Sequence, residues 1–201
     1  MNDLLENQEK LQEEAKLVLK ELKIEELLGK YGPVKFAGSF ETGLLVWRDI
    51  DMEVWVSEID KKDVAEFVKG VINVTDKRLD FLVIDNRDLR TPHHPKGFYL
   101  GMRYCLNSTY SNWRESSDVW ELDIWFVTKE ESHTLGYTES VKEKLTEEKR
   151  RIILEIKNEI WKSPGYKKKI FSVDIYNGVL DAGVFDMESF REYLKTLGKE
   201  I

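Results

Sequence analysis

The strongest constraint on the fold is a stretch in which acidic and apolar residues alternate, within Val34–Val56. Three acids alternate there with three apolar residues, in the order Asp49, Ile50, Asp51, Met52, Glu53 and Val54. A period of two predicts a β-strand with one buried face and one polar face. Because three carboxylates on one face repel each other, we expect a cation to lie among them.

A short apolar strand, residues 34–38, precedes the acidic strand and leads into Gly38 and Ser39. Backbone N–H groups and a hydroxyl in such a turn suit an anion. An anion site beside a carboxylate cluster is what a metal-bound polyphosphate needs. The alternative is that the acids form the wet face of an antiparallel sheet. Aspartate is a poor strand former, however, so two at alternate positions reduce strand propensity without structural benefit.

A second strand, residues 119–127, repeats this pattern. Its apolar face consists of Trp120, Leu122, Ile124 and Phe126, and its polar face carries Glu121 and Asp123. Residues two apart on a strand lie roughly 6.6 Å apart, so Asp49 and Asp51 could reach the same divalent cations. Asp123 is the best candidate for the third carboxylate. Magnesium prefers such carboxylate and phosphate oxygens, so the sequence predicts a Mg²⁺ site.

Composition excludes several classes of protein. The chain has 201 residues, one cysteine and a formal charge of −7. This charge makes a long nucleic acid an unlikely partner, although a local basic patch is compatible with it. No intramolecular disulfide can form, no apolar run reaches the roughly 20 residues needed to span a bilayer, and the amino terminus lacks a signal-peptide core. We therefore expect a cytoplasmic protein without a membrane partner.

The order of elements predicts an α+β fold, with a mixed, mainly antiparallel sheet flanked by helices and a helical C-terminal part. Strands are expected at 34–38, 49–56, 79–85, 97–106 and 119–127, and helices at 2–29, from about 61, at 138–162 and in short pieces over 166–201. We expect a catalytic domain with its N-terminal helix over residues 1–133 and a helical region over 134–201.

The N-terminal helix has an apolar stripe on a highly charged surface. Leu4, Leu11 and Val18 recur every seven residues, which indicates one buried face. We expect this helix to pack on its own domain. The alternative is a dimerisation helix, which makes a homodimer or a helix-mediated scaffold possible.

The spacing Gly38-Ser39-x-x-x-Gly43, followed by Asp49-Ile50-Asp51 and by Asp123 on a later strand, resembles the DNA polymerase β-type nucleotidyltransferase superfamily. Nine residues separate Ser39 from Asp49, as in that family. The resemblance implies a mixed-sheet catalytic domain over roughly residues 20–130. The helical C-terminus resembles the appended parts that help to bind acceptor or nucleotide in this family. In size the chain is similar to the small enzymes that modify aminoglycosides or lincosamides and to minimal nucleotidyltransferases.

The resemblance also assigns roles to individual residues. Gly38 and Ser39 would hold the phosphates of the nucleotide, and Asp49 and Asp51 would bind Mg²⁺. Asp123 would be the third ligand or the general base.

Several charged residues fall outside this pattern. Arg48 occupies a position that is often small and polar in the family, and it would either pair with a phosphate or face solvent. Arg103 is the arginine most favoured to steady a triphosphate. Glu53 is expected to be a further solvated residue. The histidines His93 and His94 are expected in an exposed loop, with a contact to the acceptor as the alternative. Residues 167–169, three lysines, are expected to be solvated, with an RNA contact as the alternative.

The sequence therefore predicts an enzyme that transfers a nucleoside monophosphate from a nucleoside triphosphate to an acceptor with Mg²⁺. The acceptor could be a small molecule, a protein or an RNA. The alternative is a non-catalytic module that keeps the fold and binds a nucleotide or a partner.

Overall fold

A computed structural model describes residues 2–88, 94–106, 118–132 and 134–201. The strands are β1 (Val34–Ala37), β2 (Asp49–Trp55), β3 (Leu79–Asp85), β4 (Phe98–Cys105) and β5 (Val119–Val127). The helices are α1 (Asn2–Glu21), α2 (Ile24–Leu28), α3 (Gly38–Thr42), α4 (Lys61–Ile72), α5 (Thr134–Lys144), α6 (Glu147–Ile160), α7 (Ser172–Asp181) and α8 (Met187–Thr196). No helix in these ranges is long and apolar enough to cross a membrane. His93 lies outside the described residues.

The five strands form one mixed sheet in the order β1-β2-β5-β4-β3. Strands β2 and β5 are parallel, and every other neighbouring pair is antiparallel. This confirms the predicted fold class of a mainly antiparallel mixed sheet with flanking helices. The parallel pair matters most for the site, because it places Asp51 opposite Asp123.

The apolar faces of β2 and β5 point into the larger of two hydrophobic cores, as the alternation predicts. Ile50, Val54 and Leu122 are fully buried there. Helices α1, α2 and α4 cover this face of the sheet. The opposite face carries the carboxylates, so the sheet separates the core from the candidate site.

The N-terminal segment packs on its own domain, but it is not one continuous helix. Leu11 and Val18 lie in the core, which leaves the predicted apolar stripe inside the fold. Helix α1 ends at Glu21, and Lys23, directly before α2, has a left-handed backbone with φ of 50°. Leu22 and Ile24 are both fully buried. Residues two apart point to opposite sides of a helix, so the break allows both to reach the core.

The long helix predicted over 138–162 is also two helices. Thr146 separates α5 from α6, and its side chain accepts a hydrogen bond from the Lys149 backbone nitrogen. This N-cap starts a new helix where a single one was expected. Helices α6, α7 and α8 build a second core together with Leu44 and Val46, which follow α3. The division into units at residue 133 stays a prediction.

Glu53 is not a solvated strand residue, and that expectation was wrong. It is 2% exposed. Its Oε2 accepts hydrogen bonds from the hydroxyl of Ser132 and from the indole of Trp55. Glu53 therefore hydrogen-bonds to Trp55 and Ser132, and it is not part of the carboxylate cluster that Asp49 and Asp51 form with Asp123.

Candidate active site

Side chains from three adjacent strands form a regular array on the face of the sheet opposite the larger core. One row across the sheet consists of Asp51, Asp123 and Gly101, and the next row consists of Asp49, Glu121 and Arg103. The alternation within each strand and the parallel register between β2 and β5 together produce this array. The carboxylates that the sequence singled out on two separate strands are therefore neighbours.

Asp49, Asp51 and Asp123 converge closely enough to hold one metal ion. Each offers a carboxylate oxygen, and these three oxygens lie within 4.8 Å of one another. Asp49 is 7% exposed, and its Oδ1 is buried without a hydrogen-bond partner in the described part of the chain. A buried carboxylate oxygen without a donor is costly unless something else satisfies it. Three clustered carboxylates are a hard oxygen donor set, so the site fits a divalent metal.

The cluster is electrostatically strained without a cation. Removal from water raises the pKa of Asp49 to about 6, with Lys167 opposing this rise and Asp123 adding to it. Removal from water also raises the pKa of Asp51 well above its ordinary value, and the charges of Asp49 and Asp123 raise it further. A bound divalent cation would favour the ionised form of all three groups.

Gly38 lies against Asp51 of the triad, and the local geometry requires glycine. Its φ is +61°, in the left-handed region, and an added Cβ would overlap Oδ2 of Asp51. The backbone at Gly38 therefore lies so close to the Asp51 carboxylate that no side chain fits between them. Whether Gly38 contacts a phosphate stays a prediction.

Ser39 points away from solvent. It is 5% exposed. Its hydroxyl lies 2.6 Å from Nζ of Lys157 and 3.0 Å from the hydroxyl of Tyr176. Both partners come from the helical region, so this contact connects the Gly-Ser turn to α6 and α7. The predicted role of Ser39 as a phosphate ligand stays a prediction.

Lys157 is the main polar residue of this region that sequence reasoning missed. Its side chain is fully buried. Its ammonium donates three hydrogen bonds, to Ser39 Oγ, to the Leu44 carbonyl oxygen at 2.8 Å and to Tyr176 Oη at 3.1 Å. The sequence does contain a sign of this buried lysine. Lys157 follows the buried Ile153 by four residues, so it interrupts the apolar stripe of α6. A lysine on a buried helix stripe needs polar partners, and the Gly-Ser turn supplies one.

Tyr99 was also missed, although it touches the third carboxylate. Its hydroxyl donates a hydrogen bond of 2.6 Å to Oδ1 of Asp123. Burial raises the pKa of Tyr99, and the hydrogen bond to Asp123 raises it further. Gly101 separates Tyr99 from Arg103 on this face, and a side chain there would collide with the Tyr99 hydroxyl. Tyr99 thus orients the Asp123 carboxylate through one of its two oxygens.

The two arginines predicted to bind nucleotide each have an acidic partner. Arg48 pairs with Glu14 of α1, with its NH2 2.7 Å from Oε2. Arg103 pairs with Glu121 at 2.7 Å. Arg103 nevertheless lies close to the triad, one row away from Asp123. The nucleotide contacts of both arginines stay predictions.

Two clefts adjoin the carboxylate array and share the residues Arg103, Glu121 and Lys167. The larger, of about 720 Å³, extends toward Trp47, Arg48 and the end of α6. The other, of about 600 Å³, lies over β3 and β4 and includes Asp123. Of the triad, Asp123 lines the second cleft, together with its register partner Gly101 and with Glu121 of its own strand.

His94 lies at the far side of this face. It is exposed, as expected, and its ring stacks on Trp125 with centroids 5.7 Å apart. Its contact with an acceptor stays a prediction.

Neither a protein-family model nor a curated protein sequence matches this chain. Among solved structures, a cytoplasmic RNA terminal U-transferase is similar, with a TM-score of 0.52 and 16% sequence identity. The match covers 82% of this chain and 44% of that chain, so this chain spans less than half the length of that transferase. A STING-associated CdnE c-di-GMP synthase from Capnocytophaga granulosa aligns over 100% of this chain and 69% of its own, with a TM-score of 0.46 and 12% identity.

Only the first of these likenesses is strong enough to support an argument, and at this identity it concerns the fold. It confirms that the chain has the nucleotidyltransferase fold. Within this fold, the residues that the sequence motif indicated form a carboxylate cluster that fits a divalent metal.

The first prediction concerns the contact between Gly38 and Asp51. We expect Gly38→Ala to lower the free energy of unfolding by about 2–3 kcal/mol, because left-handed strain adds to the displacement of Asp51. The same variant should weaken Mn²⁺ binding, measured by titration calorimetry. Gly183→Ala is the matched control, since Gly183 has a φ of +74° but no atom near an added Cβ. It should lose only about 1 kcal/mol. Equal losses in the two variants would contradict the proposed contact.

The second prediction concerns pH. Below about pH 4 the Asp49 carboxyl is protonated in both the folded and the unfolded chain. Between about pH 4 and 6 the unfolded chain releases a proton that the folded state retains, because the folded pKa is about 6 and the ordinary value is 3.8. The free energy of unfolding of the metal-free protein should therefore fall as pH rises through this window.

Denaturant unfolding at stepped pH in a chelator measures this effect as the difference between wild type and Asp49→Asn. We expect the variant to gain stability relative to wild type from pH 4 to 6. Mn²⁺ added at pH 7.5 should stabilise wild type more than the variant. Parallel pH profiles for the two proteins would show that Asp49 is not under strain.

Proposed function

We propose that this protein is a metal-dependent nucleotidyltransferase that uses a nucleoside triphosphate and Mg²⁺. The observation that carries the proposal is the convergence of Asp49, Asp51 and Asp123 on a nucleotidyltransferase fold. The buried Oδ1 of Asp49, which lacks a donor among the described residues, supports a metal ligand at that position. Asp49 and Asp51 would hold the metal, with Asp123 as the third ligand or the general base.

The proposed reaction transfers a nucleoside monophosphate. The acceptor oxygen attacks the α-phosphorus, the bond from the α-phosphorus to the β-bridging oxygen breaks, and pyrophosphate leaves. A bound divalent metal would supply Lewis-acid stabilisation of the charge on the attacking and leaving oxygens. The proton of an acceptor hydroxyl goes to Asp123 or to water. Tyr99 would hold Asp123 in position through Oδ1 during this step.

The two clefts support a division between the two substrates. Their shared wall of Arg103, Glu121 and Lys167 carries two cations that can interact with phosphates. Asp123 faces the cleft over β3 and β4, so the acceptor would enter on that side. The triphosphate would lie near Gly38 and Ser39. The acceptor itself can be a small molecule, a protein or an RNA.

The third prediction tests this function. The protein is incubated with each α-³²P-labelled nucleoside triphosphate, Mg²⁺ and panels of small hydroxyl compounds, proteins and RNAs, and labelled acceptor is counted. We expect transfer that Asp51→Asn reduces roughly a thousandfold or more, which corresponds to about 4 kcal/mol of transition-state stabilisation. Asp85→Asn, an exposed acid at the far end of β3, is the matched control and should retain transfer.

A second measurement separates this proposal from the non-catalytic alternative. Titration calorimetry with ATP should give binding that requires Mg²⁺ and is weakened in Asp49→Ala. Tight binding of nucleotide that is indifferent to both Mg²⁺ and Asp49, together with no label transfer, would favour a non-catalytic nucleotide-binding module.

A further inference from the structure

Lys167 has an unusual backbone conformation at the edge of the candidate site. Its φ is +60°, in the left-handed region that disfavours a residue with a side chain. The turn that holds it follows α6 and is closed by backbone hydrogen bonds, from Lys167 N to Ile170 O at 2.9 Å and from Ile170 N to Gly165 O at 3.2 Å. Residues in strained backbone conformations cluster at functional sites, and this one lies in the wall shared by the two clefts.

This backbone directs the Lys167 ammonium toward the carboxylate array. Nζ lies 3.4 Å from Oε2 of Glu121 and 5.6 Å from the centroid of the Trp47 ring. Burial alone would lower the pKa of Lys167, but the charges of Asp49, Glu121 and Asp123 raise it above its ordinary value. Lys167 is exposed like the other two lysines of the run, as expected, and its ammonium in addition contacts Glu121.

The charge balance makes this position significant. Four acids, Asp49, Asp51, Glu121 and Asp123, occupy adjacent positions in the array. Lys157 lies behind it, with its three hydrogens donated to Ser39, Leu44 and Tyr176. Lys167 lies on the open side, in the wall shared by both clefts, where a metal and a nucleotide would enter. A divalent cation bound by the triad would repel an ammonium that contacts Glu121, the register partner of Asp49.

We propose that Lys167 is a tethered counter-ion of the aspartate triad, which opposes metal binding until the phosphates of a nucleotide provide it with another anionic partner. Lys167 is then a positioning residue that couples metal binding to nucleotide binding. The part of this inference that involves the nucleotide rests on the proposed function. Nothing in it requires Lys167 to touch the reacting atoms.

The fourth prediction measures metal affinity in the nucleotide-free protein, by the electron paramagnetic resonance signal of free Mn²⁺. Lys167→Met retains side-chain length and left-handed strain but removes the charge. We expect it to bind Mn²⁺ about tenfold more tightly than wild type at low salt, with the difference shrinking at 0.5 M salt because the effect is Coulombic. Lys168→Met, the exposed neighbour, is the matched control and should equal wild type. Lys167→Arg should also equal wild type, because it keeps the positive charge.

The same titration with a non-hydrolysable ATP analogue tests the coupling. The analogue should tighten Mn²⁺ binding by a larger factor in wild type than in Lys167→Met. Melting temperatures of all variants establish that they are folded.

The outcomes separate this inference from the proposed function. Mn²⁺ binding that depends on Asp51 but is equal in wild type and Lys167→Met, with and without nucleotide, overturns the counter-ion role and leaves the proposed function intact. If neither protein binds Mn²⁺ in an Asp51-dependent manner, the metal site of the proposed function is absent, and the counter-ion role fails with it.

Discussion

Asp49, Asp51 and Asp123 each place one carboxylate oxygen within 4.8 Å of the other two. The three acids meet because β2 and β5 are neighbours in the sheet and their register sets Asp51 opposite Asp123. Carboxylates this close repel one another, and two of them have raised pKa values because they are also removed from water. Such a cluster adds nothing to the stability of a sheet. The fold retains it only with nearby cations, and a bound metal is the cation that fits its oxygen donors.

The residues around the triad can be understood as responses to this repulsion. Gly38 brings the backbone next to Asp51, where any side chain would collide with the carboxylate. Tyr99 fixes one oxygen of Asp123. Two lysines lie near the triad: Lys157 is buried against Ser39 of the Gly-Ser turn, and Lys167 is half-exposed in the wall that the clefts share. The helical region supplies both lysines, so it completes the electrostatics of a site whose acids come entirely from the sheet.

Local periodicity was enough to predict much of this arrangement. The strands β2 and β5 and their buried faces follow from a period of two, and the motif from Gly38 to Asp51 predicted which acids would converge. What it could not predict depends on contacts distant in sequence. Lys157 meets Ser39 across 118 positions, and Tyr99 meets Asp123 across a strand pair whose register no local pattern fixes. The break at Lys23 also depends on tertiary packing. Leu22 and Ile24 are both buried in the core, which a continuous helix would not allow. Glu53 was misjudged because its partner Ser132 lies in a separate segment.

The central claim is that the triad is a metal site for nucleotide chemistry, and a crystal structure with Mn²⁺ and a non-hydrolysable ATP analogue tests it most directly. The account predicts anomalous density for Mn²⁺ between Asp49, Asp51 and Asp123, with the phosphates beside Gly38 and Ser39. Lys167 should have moved from Glu121 toward a phosphate. Crystals with nucleotide bound elsewhere and no Mn²⁺ at the triad would contradict the claim and would indicate a binding protein that keeps the fold without the chemistry.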